Sequence, residues 1–84
     1  MENANTRRRR LQWKCRRGML ELDWMFNSFL KSGYNELTEL DQEIFDKLLS
    51  EHDQQLFVWF FSEGKPELPE YQYVIEKIRS AITT

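Results

Sequence analysis

The 84-residue chain has one cysteine and one histidine. Cys15 cannot form a disulfide within the chain, which fits a reducing compartment. With His52 as its one histidine, a single chain cannot build a zinc site from several His or Cys ligands. The three glycines, Gly18, Gly33 and Gly64, lie far apart, so there is no glycine-rich phosphate loop. No apolar run approaches the roughly 20 residues that cross a bilayer, so no membrane insertion is expected. The four arginines at Arg7–Arg10 lead into Leu11-Gln12-Trp13-Lys14-Cys15. That stretch has neither an apolar segment nor a small-residue cleavage site, which argues against an export signal and predicts a cytoplasmic protein. Acidic pairs such as Glu39/Glu43 and Glu67/Glu70 read as solvated surface. No enzyme is expected from this inventory.

The chain is rich in aromatics and in charge. Three Trp, three Tyr and six Phe supply large apolar areas at low entropy cost. A chain this short forms one domain, here residues 1–84, with a modest core. The net charge of -2 hides a split. Residues 1–17 carry seven of the twelve basic side chains and Glu2 alone among acids. The remainder carries thirteen acids and five bases, so the molecule is a dipole with a basic end and an acidic body.

Periodicity predicts an all-α fold, a compact single-domain bundle of about five short helices. Met1–Ala4 is expected to fray. Asn5 or Thr6 can cap a basic first helix over residues 5–17, with Leu11 and Cys15 on one face. Cys15 has cationic neighbours that favour a thiolate, but its alignment with Leu11 favours burial. Gly18 fits the left-handed position that ends many helices. A second helix runs from about Met19 to Lys31, with Leu22, Met25, Phe26 and Phe29 as its core stripe. Ser32-Gly33-Tyr34-Asn35 reads as a turn. Thr38 and Asp41 resemble a capping box for a third helix with a stripe of Leu40, Ile44, Phe45, Leu48 and Leu49. Asp41, Glu43, Asp46 and Lys47 fall on its outer side. Asp53 can cap a fourth helix, where Leu56, Phe57, Trp59, Phe60 and Phe61 cover most of the circumference and predict the most buried helix. Pro69 opens a fifth helix with Tyr71, Val74, Ile75, Ile78 and Ile82 on its apolar face.

Two features are not absorbed by the core. The first is the basic arm with Trp13. It can bind phosphates while Trp13 stacks on a base, or it can steer the protein toward an acidic partner. The acidic body repels nucleic acid, so nucleic-acid binding is not the expected role. The second is the junction Arg17-Gly18-x-x-Glu21. Arg17 suits a helix C-terminus and Glu21 a first turn, which is a sufficient structural account. With the second helix's stripe turned inward at ~100° per residue, however, Leu20 and Trp24 point outward beside it. An outward Leu and Trp need a cover, either the first helix or another protein.

The run Trp13-Lys14-Cys15-Arg16-Arg17-Gly18-Met19-Leu20-Glu21-Leu22-Asp23 resembles the signature of the succinate dehydrogenase flavinylation factor family. These small proteins are also described as the antitoxin partner of a membrane-bound toxin. Leu56-Phe57-Val58-Trp59, followed by Gly64-Lys65-Pro66, is the second match, and together they extend the resemblance over nearly the whole chain. It implies a five-helix assembly factor that binds the flavoprotein subunit of succinate dehydrogenase, and of fumarate reductase, and promotes covalent attachment of FAD to a histidine there. The FAD belongs to that client, and no cofactor of the chain's own is implied. The family motif maps onto Arg17, Gly18 and Glu21, flanked by Arg16 and Asp23, as a partner-binding surface. The helical wheel adds Leu20 and Trp24 to it. The resemblance assigns no role to Arg7–Arg10, which leaves an extra role for the arm open. The rival functions are an antitoxin opposing a toxin of cytoskeletal proteins and a nucleic-acid-binding module built on the first helix. A monomer is expected.

Overall fold

The computed structural model describes residues 4–83, with the side chains of residues 5–82. The expectation for Met1–Asn3 lies outside the described residues. Five α-helices follow one another: α1 (Ala4–Lys14), α2 (Leu20–Ser32), α3 (Glu39–Leu48), α4 (Asp53–Phe61) and α5 (Pro69–Thr83). A single 3-10 turn, Tyr34–Glu36, links α2 to α3. The radius of gyration is 12.1 Å, close to the ~12 Å expected of a compact chain of this length. The protein is an all-α single domain.

The core begins with the stripe of α2. Leu22, Met25, Phe26, Phe29 and Leu30 are all buried. Phe45 of α3 reaches across to them, with its ring centroid 6.1 Å from Phe26, 5.4 Å from Phe29 and 5.5 Å from Tyr34. Phe60 of α4 meets Phe26 edge-on at 5.5 Å and 90°. Such edge-to-face pairs add about 0.5–1.5 kcal/mol beyond simple area burial. α5 packs on both α2 and α3 and closes the core with Val74, Ile75 and Ile78. The fit is tight at Gly33, where an added Cβ would stand 2.8 Å from Phe29 Cδ1. Glycine is needed there for close approach, since among the described residues no glycine has a positive φ.

Helix boundaries follow local chemistry. Thr38 caps α3, its Oγ1 accepting from the Asp41 N–H at 3.1 Å. Pro69 starts α5, where its missing N–H costs nothing. Gln72 braces that start from within, donating to the Pro66 carbonyl at 2.7 Å.

Four expectations are corrected. α1 begins at Ala4 and ends at Lys14, so Asn5 and Thr6 lie inside the helix and Arg16 and Arg17 lie beyond it. The backbone leaves the helix because stronger acceptors elsewhere take Arg17, as described below. Leu40 is 67% exposed. It shares a helix face with Ile44 but lies in the first turn of α3, where no neighbour covers it. α4 is peripheral, not central: Leu56 and Phe60 are its buried residues, while Phe57, Val58 and Phe61 are exposed. It is flanked by α2 and α5, and its other side has no second layer to pack on. His52, not Asp53, is the residue before its first turn, and the Asp53 side chain faces another element.

Candidate functional site

The linker between α1 and α2 is five residues long, Cys15–Met19. Cys15 is fully buried and its N–H closes the end of α1 on the Leu11 carbonyl at 2.9 Å. Burial pushes its thiol up to about 12, against the opposing pull of the Arg17 and Lys14 charges. A thiol held neutral in this way is a core residue and not a nucleophile.

Arg17 turns inward. Its guanidinium donates to the carbonyls of Leu49 and Glu51 and pairs with Asp53 at 3.2 Å. It also lies 5.7 Å from the centroid of the Phe26 ring. The side chain is only 11% exposed. Arg17 therefore ties the α1–α2 linker to the corner between α3 and α4. Among the described residues its Nε is the one buried side-chain polar atom without a hydrogen-bond partner, a cost of about 1–3 kcal/mol that the other contacts offset.

Two carboxylates hold the linker backbone. Asp23 Oδ2 accepts the Arg17 N–H at 3.0 Å, and Asp53 Oδ2 accepts the Gly18 N–H at 3.1 Å. Asn27 secures the first of these. Its Nδ2 reaches Asp23 Oδ1 at 3.2 Å and the Cys15 carbonyl at 3.3 Å. Asp53 also sits in the first turn of α4, where a negative charge is favoured by the helix dipole.

The remaining junction residues face solvent. Arg16, Gly18 and Glu21 are exposed. Leu20 is 81% and Trp24 60% exposed, so α1 does not cover them. Gly18 does not use a left-handed conformation, and an added Cβ would meet Asp53 Oδ2 at an ordinary 3.6 Å. The fold itself thus has no need of glycine at this position. Its effect is to leave the backbone bare at the surface.

The structure accordingly divides the seven site residues read from the sequence. Arg16, Gly18, Leu20, Glu21 and Trp24 form an outer surface, and Arg17 and Asp23 brace it from below. Asp53 and Asn27 complete the brace and were not among those seven. Asn27 follows Asp23 by one helical turn, a spacing the sequence shows. Asp53 is 35 residues from Gly18, and no local pattern links them.

The basic arm is a clamp on its inner side. Arg8 donates to the Leu30 carbonyl near the end of α2 at 3.1 Å. Arg10 and Lys14 converge on Asp46 of α3, Arg10 at 2.7 Å. Asp46 was expected on the outer side of α3, but these two cations draw it under α1. Burial works against the Asp46 charge, yet the hydrogen bonds and charges of Lys14 and Arg10 outweigh it and hold the carboxyl below its ordinary value.

Among the described residues no group of three or more His, Cys, Asp or Glu side chains is placed to hold a metal ion, and no helix is long and apolar enough to cross a membrane.

Residues 9–82 match the family model described as flavinator of succinate dehydrogenase. The chain belongs to that family. Curated relatives carry the name FAD assembly factor SdhE. The one from Haemophilus influenzae (strain 86-028NP) is 46% identical over 77 residues, covering 89% of this chain and 91% of the relative. The one from Coxiella burnetii is 39% identical over 71 residues, covering 84% and 87%. A third, from Idiomarina loihiensis, is 41% identical over 81 residues, covering 96% and 90%. The matched span takes in the whole α1–α2 junction and both carboxylates that hold it. The resemblance noted in the sequence is thereby established as family membership.

Proposed function

We propose that this chain is an assembly factor that binds the flavoprotein subunit of succinate dehydrogenase and promotes covalent attachment of FAD to it. Membership of the flavinator family supports the client. The observation that carries the docking site is the exposed Gly18, Leu20, Glu21 and Trp24 on a junction braced by Arg17, Asp23 and Asp53. A rigid mount keeps the entropy cost of binding low. Bare backbone at Gly18 admits close approach, Glu21 and Arg16 offer charge-assisted hydrogen bonds, and Leu20 and Trp24 offer an apolar anchor.

The chain supplies no acid, base or nucleophile in this mechanism. It selects a conformation of the flavoprotein in which FAD and its acceptor histidine are aligned, so its contribution is population shift and proximity. It acts as a cytoplasmic monomer, and the flavoprotein of fumarate reductase is a second client.

The test is co-expression of the succinate dehydrogenase flavoprotein with and without this chain, reading covalent flavin by in-gel fluorescence. Fluorescence rises when the chain is present. Glu21→Ala and Gly18→Arg remove the rise while keeping full helicity by circular dichroism. Equal flavinylation with and without the chain refutes the function. Loss of helicity in the variants returns the junction to a purely structural role.

A further inference from the structure

The function proposed above uses the α1–α2 junction and leaves the outward face of α1 unexplained. Five cations of α1 and the linker after it fall into two sets. Arg8, Arg10 and Lys14 point to acceptors on α2 and α3. Arg9 and Arg16 form no ion pair among the described residues. Between them stands Trp13, 71% exposed, with the Arg16 guanidinium 5.2 Å from its ring centroid. Arg9, Gln12, Trp13 and Arg16 line a shallow cleft of 260 Å³. The core has other large side chains to fill it, so the indole contributes little to the fold. Trp and Arg are also the residue types that dominate binding hot spots.

We propose that this face is a second docking contact, which takes an acidic segment of the same flavoprotein partner. Carboxylates on that segment pair with Arg9 and Arg16, and an apolar side chain packs on the indole. The proposal rests on the function proposed above. Charge complementarity selects the occupant. Two guanidiniums would neutralise about two phosphates, giving a salt slope of roughly -1.8, where nucleic-acid binders make about six to ten such contacts. The acidic body beyond residue 17, with thirteen acids against five bases, further repels an extended polyanion. A short acidic protein segment needs only the local pair of cations and the indole. The contact also adjoins the junction in the chain, since Arg16 precedes Arg17 and Gly18.

The affinity of the full chain for the apo flavoprotein subunit, measured by titration calorimetry at low and moderate salt, tests this. The Arg9→Glu variant weakens binding several-fold at low salt, and the deficit shrinks as salt rises. Trp13→Ala weakens it about tenfold at either salt, and Trp13→Phe restores most of the loss. Helicity and melting temperature stay unchanged, because both side chains are exposed. If the unaltered chain binds and the variants bind equally well, this contact is overturned while the proposed function stands. Failure of the unaltered chain to bind overturns both. Tighter binding to a single-stranded oligonucleotide than to the flavoprotein, abolished by the same charge reversal, replaces the acidic segment with nucleic acid and overturns the proposal.

Discussion

Replacing Asp53 with alanine removes three interactions at once. The Gly18 N–H loses its acceptor, the Arg17 guanidinium loses its ion-pair partner, and the first turn of α4 loses its negative charge. A hydrogen bond to a charged group contributes about 1.5–3 kcal/mol when well buried. Asp53 is a quarter exposed, so about 1 kcal/mol is the appropriate figure for Gly18 after screening. Arg17 keeps the carbonyls of Leu49 and Glu51, so its loss is also about 1 kcal/mol and not the larger penalty of a stranded buried charge. The helix-dipole contribution is about 0.3–1 kcal/mol. Together these give about 2–3 kcal/mol, or a fall in melting temperature of roughly 10–20 °C for a domain of this size. Asp53→Asn keeps an acceptor for Gly18 and falls by about half as much. Thermal unfolding followed by circular dichroism measures both. Pairing Asp53→Ala with Arg17→Ala completes a double-mutant cycle, with an expected coupling of about 1 kcal/mol. A drop below about 2 °C for Asp53→Ala, or full additivity in the cycle, would refute the bracing role.

Two further tests address the clamp and the core. The Asp46 carboxyl is held below its ordinary value of 3.8 in the folded protein. Its contribution is therefore fully present above that value and is lost as pH falls through the lower folded-state value. Stability measured from neutral pH downward should decline more gently below about pH 4 in Asp46→Asn than in the unaltered chain; parallel curves would exclude the clamp as a source of acid lability. In the core, Phe45→Ala should cost about 3–5 kcal/mol, while Leu40→Ala stays within about 0.5 kcal/mol. Urea unfolding of the two variants separates the side chain that meets three aromatic rings from the one left in solvent.

The helical stripes were legible because they are written at close spacing. Leu22, Met25, Phe26 and Phe29 repeat at the helical period, and all are buried. The outward direction of Leu20 and Trp24 followed from the same wheel, and the Leu11–Cys15 alignment correctly anticipated a buried thiol. Amount of burial was harder to read than direction. α4 has apolar residues around most of its circumference, yet it buries only Leu56 and Phe60, because burial depends on how many neighbours a helix has. Composition carries no record of that. Leu40 fails for the same reason at the scale of one turn.

The junction was legible as a site but not as a mechanism of support. Arg17 had the credentials of a helix-ending cation, and the chain instead sends it to carbonyls 32 and 34 residues away. Asp46 had the credentials of a solvated surface acid, and it receives two cations from α1. Both cases turn on a charge finding a partner far away in the chain, which a local pattern cannot specify when every face offers a candidate partner.

The bond between Gly18 and Asp53 closes a loop of 35 residues. The shape of the exposed junction is therefore an end product of folding and not a property of the segment that carries it. A peptide spanning Trp13 to Trp24 has the same letters but lacks the carboxylate that sets Gly18 in place. A nascent chain cannot present the surface until α3 and α4 have been made and packed. The five exposed residues of the junction thus depend for their arrangement on a carboxylate that lies at the start of α4.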